Sequence, residues 1–485
     1  MIYATTKKEL YMQTQKLNTK RVIFVGFAFF LITAFWQAYD AIVPLMLTNR
    51  FGLPQTASGA IMALDNVFAL FMLPLFGSIS DKSNSKYGKR TPFIFIGTIC
   101  AIVSFIALTF IDNFQLAKLS DDIKALYPVG VEDVETKNEM LKAVTSKTLE
   151  ITLENPLPLI FFILALLVVL ISMATFRSPA VALMPDVTVK PLRSKANAII
   201  NLVGTVGGIL VLVLGKVFKT SGHPYMKYTV YIIAVAAIML VGLLIFIFTV
   251  KERKWAAEME DDTVRLGLVE KAEENTGEKR KLSRPELRSL LLILASVALW
   301  YVGYNSITSK YSVYATNILG FDYNLTLIIA QAAAIVSYIP VGIIASKIGR
   351  RKTVLAGVLM LTTAFFIGNF ITPSISEFVM YPVFILAGMG WATINVNSFP
   401  MVVELARGGD VGKYTGYYYT ASMSAQIVAP ILSGLLYDLV GMRYMFFAFG
   451  TLFVALSFVT MFFVKHGDSK NIEKKSALEH LDVDD

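Results

Sequence analysis

Apolar runs of about 20 residues or more recur along the whole chain, and each is long enough to cross the hydrocarbon core of a bilayer. That feature removes most folds. In lipid the backbone must satisfy its own hydrogen bonds, so a crossing segment is a helix or part of a closed barrel. Runs of this length exceed any barrel strand, which leaves helices. Composition agrees: 55% hydrophobic and 16% charged over 485 residues, with mean hydropathy +0.61, is too apolar for a soluble chain of this size.

The pattern predicts twelve helices. Six occupy about 21–48, 56–80, 91–111, 158–184, 196–216 and 227–250, and six more about 287–314, 323–346, 351–371, 378–404, 413–437 and 442–465. The domain reading is a first bundle over 1–250, a polar linker over 251–286, a second bundle over 287–465 and a tail over 466–485. The first apolar run lacks a small-residue cleavage pattern and is too long for a signal peptide, so it reads as a permanent span.

Net charge is +9, which on a soluble chain would suggest nucleic acid. Here the bases sit between spans. Lys82, Lys86, Lys89 and Arg90 share one side with Lys190, Arg193 and Lys195, and with Lys347, Arg350, Arg351 and Lys352. The linker adds Lys251, Arg253, Lys254, Lys279, Arg280, Lys281 and Arg284. An excess of bases marks the cytoplasmic side, and an even number of spans puts both termini there, including a polar start with Lys7, Lys8, Lys16 and Lys20. The implied location is the cell membrane. Segment 112–157, on the other side, is long and acid-rich, with Asp121, Asp122, Glu132, Asp133 and Glu135; it reads as an extracytoplasmic insertion rather than a lid. Cys100 lies inside an apolar run, so there is neither a disulfide framework nor a cysteine metal motif.

Two basic loops share one grammar. Gly77 to Pro92 and Gly342 to Lys352 each place a glycine near a span end, then a polar or acidic residue, a turn glycine and a basic cluster. The fourth and tenth spans also end alike. Pro185-Asp186 precedes Arg193 and Lys195, and Pro400 to Glu404 precedes Gly408 and Lys413. Repeated halves are a transporter signature.

At these residues the chain resembles the major facilitator superfamily, and within it the glycoside–pentoside–hexuronide cation symporter group. Phe176-Arg177-Ser178-Pro179 through Pro185-Asp186, then Arg193 to Asn197, is similar to the sucrose-transporter branch, as is Ser80-Asp81 to Gly88-Lys89-Arg90-Thr91-Pro92-Phe93. The resemblance implies an all-α membrane protein of twelve transmembrane helices, in two pseudo-symmetric six-helix bundles around a central cavity. It implies alternating access and a functional monomer without cofactor, with a small sugar and a coupling cation as partners. Melibiose-type members carry a carboxylate pair on the second helix for sodium. The matching positions here are Ala69 and Leu73, which favours a proton over sodium.

Ionisable residues inside spans are costly and few. Asp40, Asp65 and Arg177 are the proton-coupling candidates, because an arginine near a carboxylate can couple protonation to conformation. Lys310, near the outer boundary, reads as a snorkelling or structural cation. Sugar recognition needs aromatic faces and amides. The first span offers Trp36, Gln37 and Tyr39 beside Asp40, and the seventh offers Trp300, Tyr301, Tyr304 and Asn305. Asn66, Gln331, Trp391, Asn395, Asn397, Tyr418 and Gln426 can add contacts. Asp81, Arg90, Asp186, Arg350 and Glu404 are expected to form a cytoplasmic gate whose charge pairs break as the bundles rock.

Two other functions compete with symport. An efflux antiporter for apolar compounds would want a greasier cavity with fewer amides. A polytopic enzyme would need a nucleophile–base or metal cluster at a membrane face; His223 lies in an outer loop and His466 and His480 follow the last span, so no enzyme is expected.

Overall fold

The computed structural model describes residues 17–265, 282–405 and 411–467, apart from positions 129, 132, 190 and 191. Lys7, Lys8, Lys16, Glu132, Lys190, Lys279, Arg280, Lys281, Gly408 and His480 lie outside the described residues.

Helices are the only regular structure among the described residues. The first six crossings are α1 (Thr19–Asn49), α2 (Gln55–Asp81), α3 (Thr91–Lys118), α6 (Leu157–Asp186), α7 (Arg193–Val217) and α8 (Thr229–Thr249). Between them lie α4 (Asp121–Ala125) and α5 (Val134–Glu154), and α9 (Glu252–Arg265) follows. The second six begin with α10 (Arg284–Thr308), which continues into the short α11 (Tyr311–Val313). They go on through α12 (Tyr323–Ile348), α13 (Arg350–Gly368), α14 (Met380–Val403), α15 (Val411–Leu436) and α16 (Met442–Phe462). The last apolar stretch, Lys413–Phe462, runs 50 residues. A helix of that length would reach ~75 Å, more than twice the hydrocarbon thickness. It divides into two crossings at the π turn Tyr437–Gly441, where Gly441 takes φ +114°.

The bundles repeat one packing scheme. α1 packs on α7 and α3 on α6, while in the second half α10 packs on α15 and α13 on α14. Two reciprocal contacts join the halves: α2 lies against α15, and α7 against α12. The twelve predicted spans are therefore present, in the two-bundle arrangement. The face where α1 begins and α16 ends is called the basic face below, and the opposite one the far face.

Three regions depart from a plain helix count. Segment 112–157 is mostly helical. α3 runs on to Lys118, and the polar α5 lies over the far face, burying Val144, Thr148 and Thr152. Gly52, at φ +64°, lets the end of the first hairpin pass against the α5 backbone, where a Cβ would overlap Thr145 O and Leu149 N. The seventh crossing breaks at Lys310 (φ −131°) and resumes as α11 and the π turn Tyr314–Leu319, closed by Gly320 at φ +75°. At the basic face, Glu252 of α9 accepts hydrogen bonds from Arg90 N (2.8 Å), Thr91 N (2.8 Å) and Thr91 Oγ1 (2.7 Å), capping α3. Trp255 is buried beneath α1, with the Arg21 guanidinium 5.3 Å from its ring and Arg21 paired to Glu258. The start of the linker thus belongs to the first bundle.

Candidate functional site

Midway along α1 the buried run Ala38, Tyr39, Ala41 and Ile42 is interrupted by one exposed residue, Asp40. Its charge acts on Tyr304 of the second bundle and interacts with that of Asp65 on α2, so it faces the gap between bundles and not lipid. Asp65 accepts from the Asn66 amide (Nδ2, 2.6 Å) and from Asn66 N (2.5 Å). The Arg177 guanidinium on α6 acts electrostatically on Asp65 and stands 5.9 Å from the Trp36 ring, forming no ion pair among the described residues. Asp40, Asp65 and Arg177 thus form one chain of electrostatic neighbours on three helices of the first bundle.

The second bundle supplies an aromatic wall. Tyr304 stacks on Trp391 with centroids 3.7 Å apart and planes 6° from parallel, and Tyr301 meets the same indole edge-on at 5.4 Å. Both stacked rings are half-buried, as are Trp36, Asn395 and Gln426. Gln331 Nε2 donates to Gln37 Oε1 (2.5 Å), joining the bundles beside this wall.

From that glutamine pair to the far face, hydrogen bonds and close backbone contacts join the bundles. Lys310 Nζ donates to Ser58 Oγ at 2.5 Å, and the lysine is 0% exposed. Asn49 and Asn317 exchange amide hydrogen bonds (3.3 and 2.7 Å), and Tyr127, between α4 and α5, donates to the same Asn317 oxygen (3.0 Å). Asp438 receives Gln55 N (2.7 Å), Thr56 N (2.8 Å) and Thr56 Oγ1 (2.6 Å), holding the start of α2. On the other flank Tyr323 and Asn324 donate to Thr220 Oγ1 (2.7 and 3.0 Å). Glycines permit the approach, since a Cβ on Gly59 would overlap Pro430 O and one on Gly434 would overlap Gln55 O.

A two-bundle fold with polar residues between the bundles and inter-bundle contacts gathered at one face is the geometry expected of an alternating-access carrier. The profile described as Major Facilitator Superfamily matches residues 148–425 and 323–481, together more than half of the chain. The chain belongs to the major facilitator superfamily. A second profile, MFS/sugar transport protein, matches residues 24–123. Among solved structures, an inward-open xylose transporter XylE from E. coli has TM-score 0.62 at 12% identity, over 96% of this chain and 99% of that one. The nucleoside transporter NupG has TM-score 0.55 at 14% identity, over 91% and 99%. A bacterial homologue of the iron transporter ferroportin, in its inward-facing state, has TM-score 0.60 at 14% identity, over 92% and 99%. At such identities the likeness is one of fold. Membership makes this major facilitator protein a membrane transporter rather than an enzyme.

Several candidates sit elsewhere than expected. Trp300 is 0% exposed within the apolar core of the second bundle, and Tyr39 is equally buried, so neither ring offers a face to the gap. The Asn305 amide donates to Tyr301 O (2.9 Å), and that of Asn397 to Thr393 O (2.9 Å), each within its own helix. Tyr418 OH bonds Ser398 Oγ (2.9 Å) inside the bundle. Aromatic and amide residues mark a helix as polar-faced, but the sequence alone did not settle which way each one turns.

The basic-face residues pair within each bundle. Arg90 pairs with Asp186 (Nε–Oδ2, 2.7 Å) and with Asp81, all in the first bundle, while Arg350 pairs with Glu404 in the second. In this conformation these pairs brace helix ends within a bundle and do not bridge the two. The sequence reading missed Arg50. It is 0% exposed, lies 3.3 Å from the equally buried Asp112, and donates to Pro224 O and Met226 O. Its position at the end of a span, after Thr48-Asn49, looked like an ordinary boundary charge.

Proposed function

We propose that this major facilitator protein is a proton-coupled symporter of a small glycoside, such as a disaccharide, in the sucrose-like branch of the glycoside–pentoside–hexuronide group. One observation carries the reading: an exposed carboxylate, Asp40, lies between the bundles beside an aromatic wall and in electrostatic contact with Asp65. Tyr304 and Trp391 offer a flat apolar face to a pyranose, and Asp40, Asn395 and Gln426 offer hydrogen bonds to its hydroxyls. Trp36 gives a second ring from the first bundle. Asp65, with Asn66 on one oxygen and the Arg177 charge nearby, is the proton carrier. It binds the proton when Arg177 is drawn away and releases it when the guanidinium approaches. Ala69 and Leu73, which replace the sodium carboxylates of melibiose-type members, support a proton as the coupling ion.

The bundles are assigned to 1–250 and 287–465, with 251–286 as a cytoplasmic linker and 466–485 as a cytoplasmic tail. The far face is extracytoplasmic, the protein acts as a monomer in the cell membrane, and the conformation described opens inward. The sugar and nucleoside transporters among the fold relatives support a polar small-molecule substrate. The test is uptake into proteoliposomes from a panel of labelled sugars under an imposed pH gradient, with and without sodium. Wild type accumulates sugar with the pH gradient alone. Asp65→Asn loses accumulation but retains exchange, since exchange need not release the proton. Uptake that follows sodium and ignores pH sinks the assignment.

A further inference from the structure

The lipid-facing side of the first bundle carries a groove of about 660 Å³ between α3 and α6, remote from the gap between bundles. Large exposed side chains form its walls: Phe110 (62%), Phe114 (59%) and Phe161 (56%). The smaller, half-buried Ala165 lies between them and makes the floor. Two polar residues close only its far-face end. Lys118 lies there with its ammonium 4.9 Å from the Phe114 ring and no ion pair among the described residues, and Asn155 stands opposite.

The dimensions are informative. From Asn155 to Val168, the deepest lining residue on α6, is 13 positions, about 20 Å along a helix. From Lys118 to Phe110 on α3 is 8 positions, about 12 Å. One leaflet of the hydrocarbon core is about 15 Å deep. The groove therefore begins where headgroups lie and ends near the bilayer midplane. A site for a soluble ligand has no reason to follow that depth.

We infer that this groove binds a glycerophospholipid of the far-face leaflet, one acyl chain lying along Ala165 and the phosphodiester held by Lys118 and the Asn155 amide. Charge complementarity selects the headgroup end: a lysine at the interface, unpaired and resting on an aromatic ring, suits a phosphodiester. Helix α6 also carries Arg177 and Asp186, and Arg90, at the start of α3, pairs with Asp186, so a lipid wedged between their far ends bears on the helix pair that frames half of the site. The inference does not depend on which solute is carried.

Native mass spectrometry of the detergent-purified protein tests it, with phosphatidylglycerol, sn-glycerol 3-phosphate and inorganic phosphate as separate titrants. A single saturable phosphatidylglycerol adduct is expected, with no adduct from either water-soluble phosphate. Ala165→Trp fills the floor and should weaken that adduct at least tenfold. Lys118→Gln should weaken it about fivefold. Should Ala165→Trp not fold, Leu164→Cys in a Cys100→Ala background replaces it, and bound lipid should protect that thiol from a maleimide. Equal lipid occupancy in wild type and variants, absence of protection, or phosphate binding without lipid binding each overturns the proposal.

Discussion

The two faces of this transporter are held by different chemistry. At the far face the contacts cross between bundles: neutral hydrogen bonds, Asn49 to Asn317 and Tyr323 and Asn324 to Thr220, one buried ammonium, Lys310, on Ser58, and solvent-accessible charges, Asp438 on Gln55 and Thr56 and Lys216 with Asp322 at 3.9 Å. At the basic face the ion pairs of Arg90 with Asp81 and Asp186, and of Arg350 with Glu404, each join helices of one bundle. Opening the far face exchanges neutral hydrogen bonds and solvent-screened charge contacts for water, which costs little per contact. Breaking a half-buried ion pair costs more. The contrast implies that the protein moves by separating weak contacts, while strong ones keep each bundle rigid through the cycle.

The largest test of that contrast is steric. Gly59→Leu forces a side chain against Pro430 O, so the far face cannot close and α2 and α15 stay apart. Uptake should fall by roughly tenfold or more, with a thiol introduced beside Thr56 reactive toward impermeant reagents. Normal uptake by Gly59→Leu would mean that the α2–α15 contact is not part of the cycle.

Next in size is the lysine. Ser58→Ala leaves the Lys310 ammonium buried without its hydrogen bond, and a lost bond to a charged group is worth ~1.5–3 kcal/mol. The ratio of far-face-open to far-face-closed molecules should rise by about ten- to a hundredfold in distances between spin labels across that face. Lys310→Met removes the charge together with its need for a partner, so its shift should be smaller than that of Ser58→Ala. The reverse order would show that the ammonium is itself the attraction, through Asp438.

Arg90→Gln sharpens the other side of the comparison. Arg90 is 5% exposed but Asp81 and Asp186 are not buried, so the cost should be about 1–2 kcal/mol rather than the full value of a buried pair. It should appear as a lower Tm with an unchanged open-to-closed ratio. A moved ratio at constant Tm would restore Arg90 to a gating role.

The smallest effect concerns His223. Its pKa is lowered from 6.5, first by partial desolvation and then by the Arg50 charge. Its ring also packs near Tyr127, which bonds the inter-bundle Asn317, and near Tyr225. A lowered value means that the packed arrangement favours neutral imidazole. Its contribution to far-face closure is fully present above pH 6.5 and is lost as the pH falls through the lowered pKa. Because His223 is largely exposed, solvent screening should hold the change to about two- or threefold. His223→Gln should flatten the pH dependence of spin-label distances at the far face; an unchanged slope would assign it to another group.

Much of the fold was legible because bilayer thickness is a strong ruler. The predicted crossing at about 323–346 is observed as Tyr323–Ile348, and that at about 56–80 as Gln55–Asp81. Where lipid does not set the length, the reading weakened. Segment 112–157 is polar, so no hydropathy period announced α5, and its caps Ser120 and Asp133 went unread. Lys310 reads in the sequence as a snorkelling or structural cation near the outer boundary, because sequence gives depth along a helix but not direction around it. Asp40, Asp65 and Arg177 were visible as costly intramembrane charges, and the structure brings them into one electrostatic neighbourhood. The Tyr304–Trp391 stack joins helices 87 positions apart in sequence, a distance over which local pattern carries no information.

That stack has an optical consequence. The chain has four tryptophans. Trp300 is sealed in the core and Trp255, on the linker helix α9, is buried against the first bundle, so both emit from surroundings a solute in the gap does not reach. Trp36 and Trp391 lie at the gap, one 5.9 Å from a guanidinium and the other face to face with a phenol. Anything that enters between the bundles changes the polarity around these two indoles and leaves the other two as an internal standard. The protein's own fluorescence thus reports occupancy of the site without an attached dye.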